Sequence, residues 1–326
     1  MLTSLALIFL VGLAAASICQ RIRLPRIIGM LATGILLGPY VLDFLDGSIL
    51  SISSDLREMA LVIILIKAGL SLDISELKEV GRPAVLMAFL PAVFEILAFV
   101  LLAPGILGVT LLEAAILGAV LGAVSPAVVV PKMVQLMETG YGTDKGIPQL
   151  ILAGASLDDV FVIVLFSTFT GMAQGGAVSA MDFAGIPISI LLGIAGGALT
   201  GWLLALFFES QYAKERYVRN SMKVIIVLGI SFLLVALETW LEGTLPFSGL
   251  LAVMSMACVL QLKSETFVTR RLAEKFGKLW LAAEVILFVL VGAAVDIRYT
   301  LGAGLGAVLM RSEERRVGKE CRSRWS

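Results

Sequence analysis

Two adjacent aspartates interrupt an otherwise apolar stretch of the chain, GASLDDVFVIVLF at residues 154–166. In a membrane-spanning helix an ionised carboxylate near the middle costs a few kcal/mol, so Asp158 and Asp159 are candidates for a functional site. Successive helical residues point about 100° apart, which means that the two carboxylates must meet different neighbours. One could face a cavity and bind a proton or a hard cation through oxygen, while the other pairs with a cation or a hydrogen-bond donor.

A second unusual stretch, GAVLGAVSPAVVVPK, precedes the aspartates by one apolar segment. Pro126 and Pro131 each remove a backbone donor and disfavour helical geometry at the residue before them. We therefore expect the helix to break near Ser125. Unwound backbone in a membrane is found where it is buried in protein or lines a cavity, and transporters use such breaks to direct carbonyl groups at ions. Next to a double aspartate, the break favours an ion site over a simple proline kink.

The composition is that of a membrane protein. Of the 326 residues 59% are hydrophobic and 15% are charged, and the mean hydropathy is +1.00. These values predict an all-α polytopic membrane protein, in which each crossing needs about 20 apolar residues. The segments that approach this length are 1–20, 27–45, 56–72, 83–104, 111–136, 147–172, 184–208, 221–241, 245–262 and 279–297.

The loops between these ten segments differ in their content of Lys and Arg. The loops after segments 1, 3, 5, 7 and 9 contain nearly all of these residues, whereas the loops after even-numbered segments contain only Arg57 and Arg298. By the positive-inside rule we expect the odd-numbered loops to be cytoplasmic and the N-terminus to lie outside the cell membrane.

Composition also excludes several classes of function. The net charge is zero, which argues against a nucleic acid as partner. Cys19, Cys258 and Cys321 are scattered and the chain has no histidine, so neither a disulfide framework nor a metal cluster is indicated. An intramembrane aspartyl protease needs two carboxylates that face each other, which adjacent residues on one helix do not provide. We expect no enzymatic activity and no cofactor.

The C-terminal sequence differs from the rest. An eleventh apolar segment begins near Thr300 and is followed after about 11 residues by the charged sequence RSEERRVGKECRSRWS. About 11 apolar residues are too few to span the hydrocarbon core. We expect residues 1–310 to be a transmembrane domain with ten full helices and a partial eleventh, and residues 311–326 to be a non-native charged tail. A basic tail after a short re-entrant segment is the alternative.

A few more ionisable residues lie inside apolar segments. Lys67, in LVIILIKAGLSLD, is close enough to a helix end for its ammonium group to reach the cytoplasmic face, and Glu95 follows Pro91 in LPAVFEIL. For Lys67 and Glu95 a structural role and a functional role both stay open. Glu238 and Glu284 lie nearer to helix ends. Glycines in IIGMLATGILLGP and GIAGGALTG predict close helix packing.

Several motifs together resemble the cation/proton antiporter superfamily, specifically its sodium/proton antiporter branch called NHA. The similar stretches are AGLSLD (68–73), LPAVFEIL (90–97), GAVSPAVVVPKM (122–133), GYGTDKGIP (140–148) and AGASLDDV (153–160). The resemblance implies an inverted-repeat, NhaA-like fold with discontinuous helices, whose second repeat is incomplete in this C-terminally truncated chain. It also implies a scaffold of helices that forms a homodimer and a core that moves.

The same resemblance implies roles for individual residues. Asp159 corresponds to the carboxylate that alternately binds a proton and Na⁺ or Li⁺. Asp158 is the position that is Asn in ND-type members, so the chain is similar to DD-type members, and Asp158 would pair with a basic residue or help to bind the ion. The Ser125 hydroxyl and the backbone near Val124 would replace a charged contact. Glu95 corresponds to a glutamate near the ion site or in an ion pair.

The resulting expectation is a monovalent cation/proton antiporter in the lipid bilayer that works by alternating access, with the proton and Na⁺ or Li⁺ competing for buried aspartates. Two alternatives stay open, namely a K⁺/proton antiporter and a membrane protein that binds cations without transporting them. A channel would offer a continuous polar path, whereas this sequence concentrates charge at one depth on segments 5 and 6.

Overall fold

The computed structural model describes residues 1–70, 81–122, 126–173, 180–213, 219–241 and 244–297. These residues form α-helices and one 3₁₀ turn at Thr143–Lys145, and no strand is found among them. The helices are α1 (Leu2–Arg21), α2 (Arg26–Leu37), α3 (Gly47–Ser51), α4 (Ser53–Gly69), α5 (Gly81–Leu107), α6 (Leu111–Gly122), α7 (Pro126–Glu138), α8 (Ile147–Ala173), α9 (Ala180–Ala213), α10 (Asn220–Leu241), α11 (Gly249–Lys263) and α12 (Thr266–Ala293).

The second predicted segment is shorter in the structure than in the sequence analysis. We expected it to extend to residue 45, but α2 ends at Leu37 because Gly38 is extended, with φ −68° and ψ 173°, directly before Pro39. A residue that precedes proline is disfavoured in helical geometry. The chain then turns and starts the short helix α3, where Asp46 accepts a hydrogen bond from the backbone N–H of Ser48 at 2.9 Å.

The tenth predicted segment is longer in the structure. We expected it to begin at residue 279, but α12 begins at Thr266 and includes basic residues that we had assigned to a loop. Arg270 and Glu274 form an ion pair of 3.5 Å at i,i+4 spacing within this first half. The prediction was wrong because hydropathy alone does not distinguish a charged, exposed helix from a loop.

Several helices have the length and composition of membrane spans. Five of the described helices contain a stretch long and apolar enough to cross a bilayer: Leu2–Arg21, Phe89–Leu107, Pro187–Gln211, Ser221–Leu241 and Val268–Ala293. Shorter apolar helices are Arg26–Leu37, Leu111–Gly122 and Gly249–Lys263. The chain is therefore a multi-pass membrane protein. The eleventh segment near Thr300 and the tail 311–326 lie outside the described residues.

The helices divide into two groups by their apolar cores. The larger group consists of α1, α2, α4, α9, α10, α11 and α12, and it shares one core that includes Ile8, Met30, Ile64, Met256 and Leu290. The smaller group consists of α5, α6 and α8, which pack together around smaller apolar clusters. Helix α8 also packs against α9 and contributes Leu152 to the larger core. Helix α7 packs against α8 and also against α4, so it joins the two groups.

Close helix contacts in the larger group occur at glycines. Gly34 of α2 lies against the backbone carbonyl of Val289 in α12, and Gly197 of α9 lies against the carbonyl of Ala252 in α11. A side chain at either glycine would overlap with backbone atoms of the neighbouring helix. The predicted close packing at these small residues is confirmed.

Candidate functional site

Asp158 lies near the middle of α8 and is only 3% exposed. Val162 and Leu165 follow it at i+4 and i+7, so the three residues share one face of the helix. That face packs against α5 and α6 in a buried apolar cluster made of Ala92, Ile96, Ala119, Val162 and Leu165. The structure thus places one carboxylate inside the smaller group of helices, where it is shielded from bulk solvent.

Asp159 is the next residue of the same helix, so its Cα–Cβ bond is rotated by about 100° around the axis of α8 from that of Asp158. The two residues therefore belong to different faces of α8. The side chain of Asp159 lies outside the described residues, and its role as the exchanging carboxylate stays a prediction.

Glu95 lies on α5 where this helix approaches the end of α6. A Cβ built on Gly122, the last residue of α6, would be 3.7 Å from the Cβ of Glu95 and 3.8 Å from the Cα of Ala92. The Oε1 atom of Glu95 is buried. Glu95 thus lies close to Gly122, which directly precedes the stretch in which we predicted a helix break.

The broken-helix motif lies between the described parts of two helices. The described residues of α6 run to Gly122 and those of α7 start at Pro126. Pro131 lies inside α7. Val124 and Ser125 belong to residues 123–125, which lie outside the described residues, so the break and their contacts to an ion stay predictions.

A bound cation would need several oxygen ligands. Within the described ranges no group of three or more Asp, Glu, Cys or His side chains comes together. Hard cations also accept backbone carbonyl oxygens. The predicted site for Na⁺ at Asp158 and Asp159 stays a prediction.

Comparison with known proteins identifies the family. The family model described as "Sodium/hydrogen exchanger, transmembrane" matches residues 5–310. The chain belongs to the sodium/hydrogen exchanger family. It is similar to sodium/hydrogen exchanger 9B2 of Mus musculus, with 34% identity over 277 residues, which are 84% of this chain and 49% of the relative. It is also similar to sodium/hydrogen exchanger 9B1 of Homo sapiens, with 31% identity over 309 residues, 91% of this chain and 58% of the relative. The chain spans about half the length of the curated 9B2 relatives it matches.

Two solved structures share the fold of this chain. The sodium proton antiporter MjNhaP1 of Methanocaldococcus jannaschii superposes with a TM-score of 0.70 at 22% identity, covering 94% of this chain and 73% of that chain. A second structure of MjNhaP1, at pH 8, gives a TM-score of 0.68 at 21% identity, with coverage of 90% and 70%. The predicted sodium/proton antiporter fold is thus confirmed. Membership of a transporter family also confirms that the chain is not an enzyme.

Sequence reasoning did not predict one contact of Lys67. Lys67 lies in the last turn of α4, and its Nζ is 3.7 Å from Oε1 of Glu138, the last residue of α7. A Cβ built on Gly277 of α12 would be 3.8 Å from the same Nζ. The ammonium group therefore lies where the ends of α4 and α7 meet α12. Spacing along the sequence does not tell which helix ends are neighbours, so the contact of Lys67 with Glu138 could not be predicted.

Glu238 has a structural contact with the start of α11. Its Oε2 accepts a hydrogen bond from the backbone N–H of Gly249, the first residue of α11, at 2.9 Å. Ser248 Oγ accepts another from Leu251 N at 3.4 Å. A negative charge at a helix N-terminus satisfies an otherwise unpaired donor and interacts favourably with the helix dipole. This explains why an acid is tolerated near the end of apolar helix α10.

Proposed function

We propose that the chain is a monovalent cation/proton antiporter that exchanges Na⁺ or Li⁺ for protons across the cell membrane. The observation that carries this proposal is the burial of Asp158 in the middle of α8, directly before Asp159, in the group of helices that also holds Glu95. The names of the sodium/hydrogen exchanger relatives support the same transported ions.

In the proposed mechanism Asp159 is the exchanging carboxylate. It takes a cation when deprotonated on one side, the helices that carry it move, and a proton displaces the cation on the other side. Asp158 pairs with a basic group or helps to hold the ion, and the Ser125 hydroxyl, the backbone near Val124 and Glu95 contribute further oxygen atoms.

Competition for one carboxylate explains why the two fluxes would be coupled. A carboxylate that holds a proton or a cation carries little net charge, whereas an empty ionised carboxylate is costly in a poorly solvated site. The site therefore crosses from one side to the other when it is occupied. Each time the site crosses the membrane it carries either a proton or a cation. The two ions are therefore exchanged, and neither leaks through alone.

We further propose the surroundings in which this exchange takes place. The N-terminus would lie outside the cell and the odd-numbered loops in the cytoplasm, as the distribution of Lys and Arg indicates. The larger group of helices would form the homodimer, while α5 to α8 would belong to the moving core in the lipid bilayer.

The test is proton flux in proteoliposomes. Protein is reconstituted with a pH-sensitive dye inside, and pulses of Na⁺, Li⁺ or K⁺ are added to the unmodified chain and to two variants. Asp159→Asn should abolish cation-dependent proton flux. Asp144→Asn, which changes an exposed aspartate in the 3₁₀ turn between α7 and α8, should leave the flux unchanged.

Each other outcome has a defined meaning. If Asp159→Asn left the flux unchanged, the assignment of Asp159 would be wrong. A response to K⁺ alone would favour a K⁺/proton antiporter. Cation binding measured by calorimetry without any flux would favour a protein that binds cations without transporting them.

A further inference from the structure

We infer that the ion pair between Lys67 and Glu138 is a state-dependent contact, which positions α7 and α8 against α4 in one of the two states of the transport cycle. This inference rests on the proposed antiport, because alternating access requires one group of helices to move against the other. Lys67 is then a positioning residue that acts through α7 and does not touch the transported ion.

The pair joins the two groups of helices. Lys67 lies in the last turn of α4, whose residues Ile63, Ile64 and Ile66 are buried in the core of the larger group. Glu138 is the last residue of α7, which packs on α8 of the smaller group. A displacement of α7 relative to α4 therefore changes the 3.7 Å separation of these two charges.

Glu138 is tightly coupled to α8 through the turn that follows it. Backbone hydrogen bonds close this turn from Tyr141 N to Leu136 O at 2.9 Å and from Ile147 N to Gly142 O at 3.1 Å. Gly140, Gly142 and Gly146 in GYGTDKGIP have positive φ, which most other residues rarely adopt. Helices α7 and α8 are thus joined by a short turn that is closed by backbone hydrogen bonds. Glu138 is therefore expected to move together with α8, the helix that contains Asp158 and Asp159.

Among the described residues, α7 also contacts the larger group through an apolar and adaptable face. The face of α7 that packs on the larger core consists of Val130, Met133, Val134 and Met137, at helical spacing. Apolar packing is not directional, and methionine side chains are unbranched and can adjust to a shifted neighbour. The ion pair, by contrast, depends on distance. The ion pair is therefore a contact that can distinguish one position of α7 from another.

The strength of the pair suits a contact that forms and breaks. Lys67 is 19% exposed and Glu138 is 61% exposed, so solvent screens their attraction. Exposed ion pairs of this kind shift an equilibrium by about two- to fivefold. Such a shift biases the two states without locking either of them.

The test measures the distance between the two groups of helices directly. Spin labels are placed at Gln135 of α7 and Lys278 of α12, both exposed, in a chain whose Cys19, Cys258 and Cys321 are replaced by alanine. Distances are measured by electron paramagnetic resonance in lipid nanodiscs. Lys67→Ala and Glu138→Gln should each change the ratio of the two distance populations by about two- to fivefold.

Rescue and control variants separate positioning from general loss of structure. Lys67→Arg keeps the positive charge and should leave the ratio of the two distance populations as in the unmodified chain. The double variant Lys67→Glu with Glu138→Lys exchanges the charges and should restore that ratio. Arg270→Ala removes an exposed ion pair that lies within α12 and joins no two helices, so it should leave the ratio unchanged.

The inference is overturned if both single variants leave the distances unchanged, or if the charge exchange fails to restore the ratio in a folded protein. The measurement does not require transport. A chain whose distances respond as expected but which shows no cation-dependent proton flux would overturn the proposed function and support the positioning contact.

Discussion

Glu95 of α5 packs against Gly122 at the end of α6, with 3.7 Å between the Cβ of Glu95 and a Cβ built on the glycine. One turn earlier the same two helices are closer, because a Cβ on Gly118 would be 2.8 Å from the Cα of Ile96. The two glycines are four residues apart and look alike in the sequence. The structure gives them different roles, one in helix packing and one beside an acid.

This difference predicts opposite effects of adding a methyl group. Gly118→Ala should lower the free energy of unfolding by about 1–3 kcal/mol, because the backbone of α5 must move to admit it. Gly122→Ala should be neutral or stabilising, since its Cβ has room and alanine favours a helix by about 1 kcal/mol over glycine. Thermal unfolding in detergent micelles would compare them. Equal losses of stability in both variants would contradict the spacing seen here.

Glu95→Gln should weaken the apparent affinity for Na⁺ while the protein stays folded. The amide has nearly the same shape but lacks the negative charge, so we expect KM for Na⁺ to rise about three- to tenfold with little change in kcat. Proton flux in proteoliposomes gives both constants. Glu209→Gln, on an exposed position of α9, is the matched control. An unchanged KM would assign Glu95 a structural role.

Glu238→Ala should destabilise the protein, because the backbone N–H of Gly249 at the start of α11 loses its acceptor. Removing such a helix cap costs about 1–2 kcal/mol. Glu238→Gln should cost less, since the amide oxygen still accepts the hydrogen bond. Thermal unfolding would show the order, with Glu274→Ala as a control at an exposed acid of α12. A larger loss for the glutamine variant would speak against capping.

Asp46 should titrate below its ordinary value. Hydrogen bonds from the side chain and then the backbone of Ser48 lower the pKa of Asp46 from 3.8. Because the folded-state pKa is depressed, the stabilisation of α3 is present above pH 3.8 and is lost as pH falls through the folded-state value. Ser48→Ala should raise the pKa towards 3.8 in a carboxyl NMR titration, whereas Ser51→Ala should not. Equal pKa values in both variants would refute this cause.

Much of the fold could be predicted because lipid imposes strong constraints on a sequence. Long apolar runs predicted helices such as α1 and α10, and small residues such as Gly34 and Gly197 predicted where helices approach closely. Helix ends that lie in charged sequence were harder to predict. The start of α12 at Thr266 was hidden because its first turns carry charges, as a loop would.

The candidate site was only partly predictable for a different reason. Asp158 was identified because a charge in an apolar helix is costly, whatever its neighbours are. The pairing of Lys67 with Glu138 depends on two helix ends that are far apart in sequence. Lys67 is unusual as a charge in an apolar segment, but nothing in the local sequence around it points to Glu138 as its partner.

Helix α12 is longer than the hydrocarbon layer of a typical bilayer is thick. Its 28 residues make a rod about 42 Å long, whereas the hydrocarbon layer is about 30 Å thick. Roughly 12 Å must protrude or be absorbed by tilting, and the basic first half is the part suited to the phosphate layer. Gly277, which lies against Lys67, belongs to that half. A thinner bilayer would tilt α12 further and would thereby move Gly277 relative to Lys67 at the end of α4.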